Sequence, residues 1–107
     1  HNIHALSHIT GGGLLENLPR VMPQHTQADI NVSAWELPPV FQWLQQAGNI
    51  DSQEMYRTFN CGIGMVLVVS AAEADAVLAS ATELGETAFK LGTLSSSEQA
   101  EPEVIVA

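Results

Sequence analysis

Apolar and polar residues alternate loosely over residues 3–9, IHALSHI, with Ile3, Ala5 and Ser7 on one side and His4, Leu6 and His8 on the other. That pattern predicts a strand or a short extended lead-in. The period then changes. After Thr10 and three consecutive glycines, LLENLPRVM places Leu14, Leu15, Leu18 and Val21 at helical spacing, with Pro19 limiting the helix or breaking it near its end. A second strand is predicted over residues 28–33, ADINVS, with Ser33 as a cap for the next element. Pro38 and Pro39 open a helix across PPVFQWLQQAGNI, whose apolar face is Val40, Phe41, Trp43, Leu44 and Ala47 and whose end is marked by Gly48. DSQEMYRTF predicts a further short helix, capped by Asp51 or Ser52, with Met55, Tyr56 and Phe59 turned inward.

The strongest strand signal is MVLVV, residues 65–69, continuously apolar and rich in valine. Such a run predicts a central strand covered on both faces. AAEADAVLASATELG comes next, with Ala71, Ala74, Val77, Leu78, Ala81 and Leu84 in helical register and Gly85 as a stop. A strand is then expected over residues 86–94, ETAFKLGTL, with Gly92 as a bulge, leading to the polar loop SSSEQAEPE and a closing strand VIVA. The succession predicts an α+β fold with α/β-type layers: one mixed sheet of about four strands packed by helices.

Length and charge narrow the functions open to such a fold. The 107 residues make one domain, large enough for a modest core without disulfides or a structural metal. No apolar run is long enough to cross a bilayer. Twelve acidic residues against three basic ones, Arg20, Arg57 and Lys90, give a net charge of −9, which leaves no basic stripe for a nucleic-acid backbone. Any anion held by this chain must rely on those three cations or on backbone N–H groups. The single cysteine, Cys61, cannot form an intramolecular disulfide and fits a reducing compartment. A start at His1 rather than Met, close to a predicted strand, suggests a piece of a longer protein.

Against that background the string HITGGGLLENLPR draws attention. Three glycines between a strand and a helix can adopt backbone conformations closed to other residues and bring N–H groups up to an anion such as a phosphate. They can equally form a tight turn that lets the helix pack close to the sheet. The string lacks both the GxGxxG spacing and the Lys-Ser/Thr pair of nucleotide loops, so it names no nucleotide. Asn17 and Arg20 share a helix face, but spacing favours an Arg20–Glu16 surface ion pair over an anion contact. His4 and His8 would lie roughly 13 Å apart along a strand, which makes no metal site. His8 alone, beside the glycines, is a candidate substrate contact or proton donor, or simply a hydrogen-bonded histidine at a strand end. In MYRTFNCGIGM, Gly62 and Gly64 suggest a bulge or close backbone approach, with Asn60 and Cys61 at the strand mouth and Cys61 a buried, inert thiol. Trp35 and Trp43 are assigned to packing, or to covering a part of the protein outside this chain. No complete catalytic set emerges.

Taken together, HALSHITGGGLLENLPRVMP and EMYRTFNCGIGMVLVV resemble the C-terminal domain of the aminoimidazole ribonucleotide synthetase, or phosphoribosylformylglycinamidine cyclo-ligase, family. The similarity runs along the whole chain, which looks like the later part of that domain. It implies a cytoplasmic, two-domain homodimeric enzyme of purine biosynthesis. That enzyme uses ATP and Mg2+ to close the imidazole ring of formylglycinamidine ribonucleotide, with release of ADP and phosphate. By the same resemblance an N-terminal domain of the same chain carries most ATP and metal groups, so neither is expected to bind this chain alone. His8 would be a catalytic candidate, and Thr10, Gly11, Gly12, Gly13, Asn17, Arg20 and Asn60 would face the substrate across the interdomain cleft; no metal ligand is expected here. Two alternatives stand beside this reading: a sister enzyme acting on a selenophosphate, thiamine-phosphate or amidotransferase-type substrate, and a non-catalytic interaction module.

Overall fold

The elements arise from the local chemistry with a few displacements. The computed structural model describes residues 3–107, so His1, at which the chain opens, lies outside the described residues. β1 spans Ile3–His8 and pairs antiparallel with β3, Met65–Val69, in a register that places Leu6 opposite Leu67 and His8 opposite Met65. β2, Thr26–Ile30, stands between β4, Gly92–Ser96, and β5, Glu103–Val106, antiparallel to the first and parallel to the second. The α+β class expected from the pattern therefore holds. The single sheet of about four strands does not: the described strands form one sheet of two and one of three.

Helix α1, Gly13–Asn17, runs directly into a 3-10 turn, Leu18–Val21, that has Pro19 in its first turn. Proline is tolerated there because its missing N–H would have no helical acceptor. α2 covers Pro39–Gly48, and the residue that turns the chain out of the helix is Asn49, at φ 50°, one position beyond the glycine expected to do so. α3, Ser52–Thr58, is capped by Asp51, whose carboxylate accepts the Gln53 N–H. α4, Ala74–Glu83, ends at Gly85, whose φ of 85° suits the left-handed exit. Ser33 caps nothing; Asn31 accepts the Ser33 N–H instead.

The core lies where α1 and its 3-10 turn cover the three-stranded sheet. Leu14 and Leu18 from the helical side meet Ala28, Ile30 and Val106 from β2 and β5, and Ile9 and Ile63 join them from the ends of the two-stranded sheet. MVLVV departs from expectation. Its Val66 and Val68 turn inward, but Met65 is 55% and Leu67 40% exposed on the outer side, beside Leu6 at 55%. It is one strand of a pair with an open face, not a central strand covered on both. α4 is also peripheral, burying none of its residues, with Lys90 Nζ 3.1 Å from Asp75 Oδ1 in an exposed ion pair.

The expected strand over residues 86–94 begins only at Gly92 and runs on through Ser95 and Ser96, which the sequence pattern assigns to a loop. Phe89 and Leu91 are used otherwise: Phe89 stacks on Trp35, and the Leu91 carbonyl accepts the Asn31 N–H. Gly92 is no bulge, since its pairing with Ile30 is in regular register. It is a point of close approach, because a β-carbon there would run into the Asp29 carbonyl. Gly92→Ala is expected to lower stability by about 1–3 kcal/mol in urea unfolding. Gly64→Ala, with open space around its β-carbon, should stay within about 0.5 kcal/mol.

Candidate functional site

The rim at one end of the β1–β3 pair gathers most of the residues singled out in the sequence. The ladder continues past β1, with the Ile9 N–H donating to the Gly64 carbonyl at 2.9 Å, so the chain leaving β1 and the chain entering β3 stay side by side. Thr10–Gly13 then form a turn closed by the Gly13 N–H on the Thr10 carbonyl, 3.0 Å. Gly12 has φ 100° and Gly13 φ 60°, conformations that favour glycine. Gly13 carries a second requirement. A β-carbon on it would collide with the carbonyl oxygens of Tyr56 and Phe59, so α1 starts in direct contact with the end of α3. Gly11 has neither constraint: open space surrounds its β-position.

One side chain organises this turn. Asn17 is 4% exposed, and its Nδ2 donates to the carbonyls of Gly13 at 2.9 Å, Thr10 at 3.1 Å and Gly11 at 3.2 Å. Its Oδ1 faces the Thr10 hydroxyl at 3.4 Å and accepts from Arg20 Nη1 at 3.3 Å. The carboxamide therefore turns the loop's carbonyls inward, and both of its ends are occupied. Among the described residues the N–H groups of Gly11 and Gly12 find no acceptor. Asn17 thus holds the loop rather than presenting its own amide to solvent.

Arg20 does not form the ion pair with Glu16 that spacing favours. The reason is the 3-10 turn, in which residues three apart eclipse and bring Arg20 over Asn17. Arg57 pairs with Glu54 and Lys90 with Asp75, which leaves Arg20 as the Lys or Arg without an acid partner among the described residues. Glu16 instead folds back beside Gly12. Sequence reasoning treats Glu16 only as a partner for Arg20; the signal for its actual position is its place four residues after Gly12, one helical turn away.

The second string is brought to the same end of the fold. Asn60–Ile63 form a tight turn, with the Ile63 N–H on the Asn60 carbonyl and the Gly62 N–H on Asn60 Oδ1, both 2.9 Å. Cys61 sits at φ 54° and Gly62 at φ 92°, and a β-carbon on Gly62 would meet Pro38. Trp35 braces the turn: its Nε1 donates to the Cys61 carbonyl at 3.0 Å while its ring stacks on Phe89 and meets Tyr56 edge-on. Since the Phe59 carbonyl abuts Gly13, Asn60 comes directly after a contact of the glycine turn. His8 stands apart, exposed on the outer face of β1 with Leu6 and opposite Met65, with no side-chain hydrogen bond among the described residues.

Residues 1–105 match the family model described as AIR synthase related protein, C-terminal domain. The chain belongs to this family. This AIR synthase-related domain is also 59% identical over 92 residues to proteins named phosphoribosylformylglycinamidine cyclo-ligase from Neisseria meningitidis serogroup C (strain 053442), serogroup A (Z2491) and serogroup B (MC58). The match takes in 86% of the chain but 27% of each relative, so the domain spans about a quarter of their length. Among solved structures it is similar to a thiamine-monophosphate kinase from Stenotrophomonas maltophilia K279a. The TM-score is 0.65 at 15% identity, covering 95% of this chain and 31% of that one, a likeness of fold alone.

The AIR synthase-related domain's geometry leads to two expected outcomes. Asn17→Ala removes the amide shared by three loop carbonyls, of which Thr10 keeps the Gly13 N–H, and should lower stability by about 1–3 kcal/mol, with faster amide exchange confined first to residues 10–13. Burial pushes the Cys61 thiol up to about 11 from an ordinary 9.0, and its Sγ donates to the Met55 carbonyl at 3.4 Å. The unfolded thiol therefore ionises first as pH rises. The thiol's contribution to stability is intact below pH 9.0 and is lost progressively toward about pH 11, while iodoacetamide at pH 8 should label Cys61 only after unfolding.

Proposed function

We propose that the Thr10–Gly13 turn, with Arg20 behind it, is a seat for the phosphate of a ribonucleotide substrate in an ATP-dependent cyclo-ligase of purine biosynthesis. One observation carries the reading: the turn's carbonyls are drawn inward by Asn17, the Gly11 and Gly12 N–H groups are left without acceptors, and the cation without an acid partner lies alongside. In a chain of net charge −9, these are the features that favour an anion. The names of the relatives at 59% identity point to formylglycinamidine ribonucleotide as the substrate.

In this proposal ATP supplies the phosphoryl group that activates the formyl oxygen of the substrate, and ADP and phosphate leave after ring closure. The residues of this chain bind and orient. Gly11 and Gly12 donate to the substrate phosphate, Thr10 and Gly13 shape the turn, Arg20 offsets the phosphate charge, and Asn17 keeps the loop in place. Asn60, whose Oδ1 is committed to its own turn, has its Nδ2 left for a substrate oxygen. His8, two residues before Thr10 on the exposed face, is the candidate for proton transfer.

The described residues do not fit a resident metal. No group of three or more His, Cys, Asp and Glu among them converges on a metal site. A cavity of about 210 Å³ lies away from the loop between Asp29, Ile30, Asn31, Ile105 and Ala107, with no cation in its wall to meet a triphosphate. The proposal therefore assigns Mg2+ and ATP to an N-terminal domain of the whole enzyme, a cytoplasmic homodimer whose cleft this domain closes. No helix among the described residues is long and apolar enough to cross a membrane.

In a full-length enzyme carrying this domain, Gly12→Asp or Arg20→Ala is expected to lower the cyclisation kcat/KM by about tenfold or more. This chain by itself should show no turnover. Unchanged kinetics in both variants would contradict the phosphate seat.

A further inference from the structure

Trp35 is placed to do more than fill space. Among the described residues, three that are not glycine have positive φ: His25 at 60°, Asn49 at 50° and Cys61 at 54°. Histidine and asparagine are types found in this region more often than others, whereas cysteine has no such preference. Cys61 must therefore be held there by its surroundings. Its side chain is fully buried, with Sγ on the Met55 carbonyl at 3.4 Å, and its own carbonyl accepts from Trp35 Nε1 at 3.0 Å. Among the described residues no other donor reaches that carbonyl.

The Trp35 ring is fixed in turn from two sides. It lies at 18° to the Phe89 ring with centroids 6.3 Å apart, and Tyr56 of α3 meets it at 67° and the same separation. Phe89 comes from the irregular segment between α4 and β4, so parts of the chain distant in sequence converge on one indole. Its N–H is thereby aimed at the residue between Asn60 and Gly62. Those two are joined by the Gly62 N–H on Asn60 Oδ1, 2.9 Å, which sets the plane of the carboxamide and hence the direction of Nδ2. A role in packing alone fits Trp35 less well. A half-buried indole can turn its N–H to solvent, yet this one is committed to the carbonyl that helps to hold the Asn60–Gly62 turn.

We infer that Trp35, held by Phe89, is a positioning residue that fixes the direction in which Asn60 offers its amide to the substrate. This rests on the reading that Asn60 Nδ2 meets a substrate oxygen, and it adds the group that controls that contact. Loss of the indole N–H frees the Cys61 peptide to rotate. The turn then relaxes, and the Asn60 amide samples orientations in which it misses the substrate.

The test is a double-mutant cycle in a full-length enzyme carrying this domain, with kcat and KM for formylglycinamidine ribonucleotide measured for Trp35→Phe, Asn60→Ala and the pair. Trp35→Phe keeps an aromatic ring and removes the N–H donor. Asn60→Ala is expected to lower kcat/KM by about tenfold, and Trp35→Phe by about fivefold alone but by less than about twofold once Asn60 is replaced. A merely structural contribution of Trp35 would cost the same factor in both backgrounds, and that result overturns the inference. So does full activity of Trp35→Phe beside an impaired Asn60→Ala. If Trp35→Phe fails to fold, Phe89→Leu, which leaves the donor in place but frees the ring, decides in the same cycle: a loss seen only with Asn60 present supports the inference, and an equal loss or none overturns it. Full activity of Asn60→Ala overturns the reading that Asn60 meets the substrate, and the inference with it, and leaves the phosphate seat at Gly11 and Gly12 standing.

Discussion

The fold around the site depends on a contact between two pieces of backbone. Gly13 sits so close to the carbonyls of Tyr56 and Phe59 that no side chain fits between them, and this fixes the start of α1 on the end of α3. From there the rest is arranged by hydrogen bonds. Asn17 gathers the carbonyls of Thr10, Gly11 and Gly13 on its amide, and among the described residues the Gly11 and Gly12 N–H groups find no acceptor. Because Phe59 precedes the Asn60–Ile63 turn, the same contact brings the second string beside the first. The buried Leu14 and Leu18 then anchor this assembly to the three-stranded sheet, so that an exposed loop rests on a packed base.

This arrangement separates two jobs that the sequence presents as one string. Glycines 12 and 13 are required by conformation and close approach, whereas Gly11 is unconstrained by the described structure and is the one whose identity a ligand would explain. Likewise Asn17 and Arg20 differ in role although they lie three residues apart. The first is buried and saturated, the second exposed and tied by a single hydrogen bond, which leaves most of the guanidinium fork available. Trp35 performs for the Asn60 turn the task that Asn17 performs for the glycine turn, through its bond to the Cys61 carbonyl.

Much of this is legible in the sequence, and the rest is hidden for identifiable reasons. Helical spacing locates the four α-helices of the described residues, and the Asp51 cap and Gly85 exit are visible as residue types. Strand pairing is not, because a two-residue period gives the faces of a strand but not its neighbour; hence β1 and β3 form their own sheet. MVLVV is apolar on both sides, yet the described residues cover only one of them. The glycine and Asn60 strings are recognisable as turns that need special backbone geometry, which the φ values of Gly12, Gly13, Cys61 and Gly62 carry out. The Asn17 hub is not, since its bond to Thr10 spans seven residues, beyond the reach of spacing rules within one helix. The expected Arg20–Glu16 pair fails for a local reason, the tightening of the chain into a 3-10 turn at Leu18, which sequence periodicity does not register.

The central claim is that the free N–H groups of the glycine turn receive a phosphate. The most direct measurement is a titration of the isotope-labelled chain with ribose 5-phosphate, monitored through its backbone amide resonances. The account predicts saturable shifts that are largest at Gly11 and Gly12, accompanied by the Arg20 side chain, with the α4 amides unmoved. Absence of shifts at Gly11 and Gly12, or shifts centred on another part of the fold, would contradict it.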